Sequence, residues 1–367
     1  MTIAPIPKWD RPEPTKCKLD YADLTNIDLS LFDTEEGKLG LVETIRHALT
    51  DVGFWIVTNS GFSEAEIEQQ FALGQAFYNL SLEERNTNRC DVENGGYWGY
   101  RADNMELLNI PKYIPEYKDV PRHQFVKNHE EVIADFHRHC WYNVARKLFV
   151  LFALAMELPE NYFVERHDYE RPSQDHLRYQ MMYHPRTPEE DAQCDNLWSW
   201  AHTDYGSLTL LFSQTVSGLQ VKMPDGVYKD IKPVPGSIVV NVADTLSFMT
   251  KGYLKSTIHR VTVPATDQRH IHRVGVIFGT RPNDDCPVVV APSPLLQRLG
   301  VLEPGDCDIT EDTPTAGEYV AARVKAVHAK AAYGHKAGEV FKYKNLTVLE
   351  NYADVPETAP VAEISAA

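Results

Sequence analysis

Between Leu177 and Gly279 the chain starts and stops repeatedly. Short segments rich in apolar and β-branched residues follow one another: "LRYQMMYHP", "TLLFSQ", "GLQVKM", "VYKDI", "SIVVNV", "TIHRVTV" and "HRVGVIFG". Turn signals separate them, with Pro224-Asp225-Gly226 supplying one tight turn and Lys251-Gly252 another. Many short strands at this spacing must pack as two layers or close on themselves. The expected fold class is therefore mainly β with flanking helices, built on a β-sandwich or jelly roll.

The flanks read differently. "LGLVETIRHALT" (39–50) has helical periodicity, and "GFWIVTNSG" from Gly53 reads as a short buried strand. Ser63 with Glu66 three residues on is a capping-box pattern opening a second helix. "ENGGYWGYR" (93–101) reads as a loop, residues 130–157 as one long amphipathic helix, and 317–332 as a further helix. The expected organisation is an extended N-terminal arm over 1–18 and a mixed helix/strand region over 19–160. A β core over 172–285, a C-terminal helical region over 286–354 and a disordered tail over 355–367 follow. No run approaches about 18 apolar residues, and the N-terminus shows no apolar leader segment. Six cysteines without a CxxC pair predict free thiols in a reducing, cytoplasmic setting. A net charge of −16 repels phosphate backbones and anionic lipid, which excludes nucleic-acid and membrane-surface binding as leading functions. The expected partner is a small molecule; the sequence leaves the oligomeric state open.

The chemistry lies in "SWAHTDYGSLTLLF". With 14 His and 52 Asp plus Glu in 367 residues, chance alone supplies about two H-x-[DE] pairs. The pairs His129–Glu131 and His202–Asp204 are both present, so context has to separate them. On a helix, positions i and i+2 diverge by about 200°, and His129 opens a helix. In extended chain they share a face, and His202–Asp204 precedes a strand. A third ligand must come from a distant strand, with His259, His270 and His272 as candidates. Two imidazoles and one carboxylate on one side of an ion form the facial arrangement of non-haem Fe(II) oxygenases, although ligand type alone does not exclude zinc. If 258–263 and 271–279 pair as a hairpin, Arg273 falls opposite Val261 and shares a face with His259 and Gly275. An inward arginine beside a metal calls for an anion, and its planar fork suits a carboxylate.

Those residues carry a resemblance. The stretch from about 177 to 282 resembles the iron(II)/2-oxoglutarate-dependent dioxygenases of the isopenicillin N synthase-like group. "AHTDYGSLTLLF" resembles the family's HxD segment, "KSTIHRV" the strand with the distal histidine, and "RVGVIFGTRP" the segment that binds the co-substrate. "ALTDVGFWIVTNSG" and "LSLEER" are similar to the family's N-terminal region. The resemblance implies a double-stranded β-helix core and the metal ligands His202, Asp204 and His259. It also implies that Arg273 pairs with the remote carboxylate of 2-oxoglutarate. Fe(II) would be the metal, 2-oxoglutarate and O2 the co-substrates, and ascorbate a reductant. The products would be an oxidised small molecule, succinate and CO2, in secondary-metabolite biosynthesis, with the outcome (hydroxylation, desaturation, ring closure or expansion) left open. Two positions depart from the pattern. Gly275 stands where a serine usually contributes a hydroxyl, and Met182-Tyr183-His184-Pro185 replaces an Asn-Tyr-Tyr-Pro segment.

Competing readings are an iron oxidase that needs no keto acid, a metal-free jelly-roll binding protein and, more distantly, a zinc hydrolase. Tyr97, Trp98, Arg101, Trp198, Trp200 and Tyr205 are pocket candidates, set against a plain core-packing role for the aromatics. His137, His139 and His328 are expected at solvated or capped helix positions.

Overall fold

A computed structural model of the chain describes residues 5–102, 105–182, 185–333, 339–349 and 362–365. With strands numbered in chain order, the larger sheet runs β1 (Asn26–Asp28), β2 (Phe54–Thr58), β10 (Ile238–Val242), β7 (Leu208–Phe212), β12 (Arg273–Thr280), β5 (His176–Met182), β4 (Glu106–Pro111) and β3 (Gly99–Ala102). The smaller sheet runs β6 (Leu197–His202), β11 (His259–Thr262), β8 (Leu219–Lys222) and β9 (Tyr228–Asp230). A third sheet orders β14 (Leu346–Leu349), β13 (Glu339–Tyr343) and β15 (Ala362–Ser365). The two main sheets enclose a cavity, lined from both, as a jelly roll requires.

Alternation along the larger sheet decides what faces where. Leu208, Leu210 and Phe212 of β7, Ile238, Val240 and Val242 of β10, and Val274, Val276 and Phe278 of β12 enter the main apolar core. The core also takes in Ile45 and Leu49 of the helix Glu35–Asp51, Phe71 and Phe77 of the helix Glu64–Tyr78, and Phe149 and Phe152 of the helix Arg146–Ala155. The intervening residues, among them Thr209, Asn241, Arg273 and Gly275, line the cavity. The capping box at Ser63 forms as its spacing predicts, with Ser63 and Glu66 exchanging side-chain and backbone hydrogen bonds. None of the six cysteines forms a disulfide.

Several expectations need correction. The hairpin between 258–263 and 271–279 does not form. β11 is flanked on both edges, by β6 and β8, while β12 lies between β5 and β7. Residues 263–272 are long enough to cross from one sheet to the other, so Arg273 does not pair with Val261. The glycine-rich loop ends in a strand, since Gly99–Ala102 pairs with β4. The single helix over 130–157 is two helices, Glu130–His139 and Arg146–Ala155, joined by a π-helical turn at Cys140–Ala145. The wider turn keeps Cys140, Trp141, Val144 and Ala145 all buried. His137 is buried, because it continues the stripe Ile133–His137–Cys140–Val144, and its Nδ1 pairs with the Tyr169 hydroxyl at 3.0 Å. His139 is half-buried, stacked on Phe62 with ring centroids 3.8 Å apart. The tail is not wholly disordered, since Ala362–Ser365 pairs in parallel with the open edge of β13. Its other residues, the Tyr183-His184 pair and the His328 side chain lie outside the described residues.

The N-terminal arm is extended and pinned. Trp9 stacks on Phe71 with centroids 4.3 Å apart, and the Pro12 carbonyl accepts from the Thr215 hydroxyl. Thr15 and the Lys16 amide bond Asp267 at 2.6 and 2.7 Å.

Three buried histidines tie stability to pH. Burial holds His167 down to about 3 and pushes His137 and His176 well below the ordinary imidazole value. The His167 Nδ1 faces the Phe163 carbonyl, an acceptor only, so it carries the proton, and Nε2 accepts from Ser207 at 2.7 Å. Such groups take up protons only on unfolding. Their contribution is complete above about pH 6.5 and drains as pH falls toward the depressed native values. Urea titrations at pH 7 and pH 5 are expected to show stability falling with a slope of up to about 1.4 kcal/mol per pH unit for each histidine.

Candidate metal and co-substrate site

The pairing of β6 with β11 sets His202 directly across from His259. Asp204 follows in the turn leaving β6, its carbonyl accepting from the Asp244 amide at 2.7 Å. One donor atom from each of His202, Asp204 and His259 lies within 4.8 Å of the other two. The His202 and His259 Nε2 atoms are each 3.9 Å from an Asp204 carboxylate oxygen. Two donors about 2.1 Å from a common ion sit between about 3 and 4.2 Å apart, and both separations fall in that interval.

The orientation of each group is fixed from behind. The Nδ1 atoms of His202 and His259 face the carbonyls of Trp200 (2.7 Å) and Thr257 (3.1 Å). Both Nδ1 atoms are therefore protonated, and both Nε2 lone pairs turn to the common point. Thr209 (2.6 Å) and Asn241 (3.1 Å) donate to Asp204 Oδ2. Burial alone would raise the Asp204 pKa, but His259, His202 and these two donors hold it down to about 2. Burial and then the neighbouring His259 hold His202 down to about 4. At neutral pH the set is an ionised carboxylate and a neutral imidazole, the forms that ligate a cation. His270 and His272, the other candidates for the third position, are exposed and outside this cluster.

The triad opens on a cavity of about 370 Å³. Arg273, 3% exposed, stands at the start of β12, with Nε 3.4 Å from the Val216 carbonyl. The Gln214 amide bridges Arg273 Nη2 (3.2 Å) and the Val274 carbonyl (2.8 Å). At Gly275 the nearest neighbours of an added Cβ would be the Gln214 side-chain amide at 3.7 Å and the Gln180 Cβ and backbone carbonyl at 3.8 Å, ordinary contact distances at the position where a hydroxyl is missing. Of the aromatic candidates, Tyr97, Trp198, Trp200 and Tyr205 line the cavity. Trp98 is a packing residue against Tyr117, with centroids 4.7 Å apart.

Sequence reasoning missed Arg178, Arg281 and Arg323, which line the cavity together with Arg101. A signal was present for Arg281. The inward positions of β12 run Arg273, Gly275, Ile277 and Gly279, and the same alternation carried one step further reaches Arg281. Arg178, opposite Ile277 in β5, meets it at the Tyr97 ring, whose centroid lies 5.6 Å from the Arg178 guanidinium and 4.0 Å from that of Arg281.

The fold and the convergent donors define a jelly-roll protein built to hold a divalent metal. Comparison with known proteins names the class more closely. Residues 174–282 match the 2OG-Fe(II) oxygenase superfamily, and residues 24–138 match the N-terminal region of non-haem dioxygenases in morphine synthesis; together these cover more than half of the chain. The chain belongs to the 2OG-Fe(II) oxygenases, enzymes that use Fe(II) and 2-oxoglutarate. It is 29% identical over 325 residues to the UPF0676 protein of Schizosaccharomyces pombe, covering 83% of this chain and 93% of that one. It is 28% identical over 273 residues to a 2-oxoglutarate-Fe(II) type oxidoreductase of Aspergillus fumigatus, covering 66% and 79%. Among solved structures, a full-length Neurospora crassa protein in complex with alpha-KG and 5-formyluracil is similar in fold, with a TM-score of 0.71, 24% identity, and coverage of 84% of this chain and 99% of that one.

Asn241→Leu removes a donor to Asp204 and is expected to weaken divalent-cation binding about 10–100-fold. Calorimetric titration with Mn(II) checks this; unchanged affinity would show that the carboxylate needs no such support.

Proposed function

We propose that His202, Asp204 and His259 hold Fe(II) and that Arg273 pairs with the remote carboxylate of 2-oxoglutarate. The protein then oxidises a small organic substrate by hydroxylation, desaturation or oxidative ring rearrangement, releasing succinate and CO2. A role in secondary metabolism is part of this reading and rests on the habit of the family. A reducing, cytoplasmic setting is also part of it and agrees with six cysteines that form no disulfide. Among the described residues no helix is long and apolar enough to cross a membrane. The observation that carries the reading is the convergence of two Nε2 atoms and a carboxylate on one cavity that also holds a buried arginine.

When bound, iron and 2-oxoglutarate supply the oxidising power by activating O2. The chain does the positioning. The Trp200 and Thr257 carbonyls keep both imidazole lone pairs on the cavity side, and Thr209 and Asn241 hold the carboxylate. Arg273, steadied by Gln214, offers a planar fork to a carboxylate, which fits the keto acid's far end. Phe54, Leu211, Val239 and Val261 give the cavity apolar walls that keep bulk water from the centre.

Protein prepared without oxygen is expected to bind close to one Fe(II), and His202→Ala to lose it. Arg273→Leu is expected to weaken 2-oxoglutarate binding at least about tenfold. A substrate screen with Fe(II), ascorbate and 2-oxoglutarate should yield substrate-dependent succinate. Substrate oxidation without succinate would replace this reading with an oxidase that needs no keto acid.

A further inference from the structure

The far end of the same cavity carries an excess of positive charge. Among the described residues five arginines line the cavity, Arg101, Arg178, Arg273, Arg281 and Arg323, against a single carboxylate, Asp204. Ferrous iron, Asp204, 2-oxoglutarate and Arg273 together carry no net charge. Arg178 and Arg281 stand outside that balance.

The acids nearest Arg281, Asp175 and Asp284, are shared with Lys112. Asp175 accepts from the Arg281 backbone amide, but its carboxylate also faces Lys112 at 3.7 Å. Asp244 accompanies Arg323. Around Tyr97 the partners are neutral. Arg178 donates to the Asn109 side-chain oxygen at 2.7 Å and to the Tyr97 hydroxyl. Arg281 lies over the Tyr97 ring, 4.0 Å from its centroid, and reaches the Gln174 carbonyl and amide oxygens at 3.3 and 3.4 Å. Arg281 is 3% exposed, and its Nε is buried with no hydrogen-bond partner among the described residues. A buried guanidinium with an orphaned N–H is costly unless an anion completes it. The field is strong enough to act on the phenol between them. Burial would raise the Tyr97 pKa, yet Arg178, Arg281, a hydrogen bond from Tyr205 and Arg101 bring it down to about 8.

Resting on the oxygenase reading, we propose that the substrate is a small carboxylic acid whose carboxylate is held by Arg281 and Arg178 beside Tyr97. This orients its carbon skeleton toward the His202–Asp204–His259 centre. Each guanidinium already spends one edge on protein oxygens, so two edges remain for a two-oxygen anion. A carboxylate's two oxygens match one such edge bidentately. The walls between the two ends are suited to an apolar or aromatic body, with Met105, Leu107 and Trp198 among them.

The test uses full-length protein loaded with Fe(II) and 2-oxoglutarate without oxygen. Calorimetry compares phenylacetate, cinnamate and cyclohexanecarboxylate with their primary amides. At least one acid is expected to bind at least about tenfold more tightly than its amide. Arg281→Gln should erase that preference, and Arg281→Lys, which keeps the charge and controls for folding, should retain most of it. Equal binding of acids and amides, no binding by any acid, or an undiminished preference in Arg281→Gln overturns the proposal. Failure of the oxygenase reading shows separately, as absent Fe(II) or 2-oxoglutarate binding in the loading titrations that precede the panel.

Discussion

Sidedness of the larger sheet is the constraint on which everything else rests. Both of its faces are covered, one by helices and the other by the smaller sheet, so central strands such as β10 and β12 are almost wholly buried. A buried strand tolerates polar groups only where they are satisfied by partners or by a ligand. The polar residues therefore collect on the inner face, at alternate positions. Thr209 and Asn241 meet Asp204 there, and Arg273 meets Gln214. A slip of one residue in β12 would put Arg273 into the apolar core and Val274 into the cavity. Register and chemistry are thus set by the same contacts.

Two of the three candidate metal ligands are legible in the sequence because they are neighbours, while the residues alone leave His259, His270 and His272 open for the third and only the family resemblance selects His259. His202 and Asp204 flank a strand end, and His259 opens a strand with apolar neighbours at alternate positions. The relation of His259 to Arg273 is not legible in the same way. A hairpin and a crossover place the two on a common cavity equally well, and sequence spacing does not distinguish one strand pair from two facing sheets. His137 misleads for a related reason: a histidine at a core position of a helix looks polar in sequence, and only the i, i+3, i+4 stripe around it tells otherwise. Arg178 and Arg323 come from elements far apart in the chain, β5 and the helix Ala316–Tyr333, and nothing local marks them as cavity residues. Arg281 is the exception, since the alternation that identifies Arg273 extends to it.

The cavity has two unlike ends joined by one strand. β12 presents arginine, glycine, isoleucine, glycine and arginine to the interior in turn. The glycines leave room beside Gln214 at one end and beneath the His176 ring at the other, where an added Cβ at Gly279 would come within 2.5 Å of that ring. A side chain at Gly275 would reshape the cavity without meeting the apolar core behind the strand, whereas one at Gly279 would have to displace the buried His176 ring from its place against Tyr97. The end of the cavity near Arg273 is therefore the more tolerant of change.

The strap of N-terminal chain across the protein has a kinetic meaning. Thr15 and Lys16 close onto Asp267, and Glu13 onto Gln268, contacts that span some 250 residues of sequence. Asp267 and Gln268 lie on the very crossover that carries the chain from the His259 strand to the Arg273 strand. Trp9 can settle on Phe71 early, but the clasp formed by Glu13, Thr15 and Lys16 cannot close until the crossover at Asp267 and Gln268 has been made, which ties the arm to the placement of the Arg273 strand.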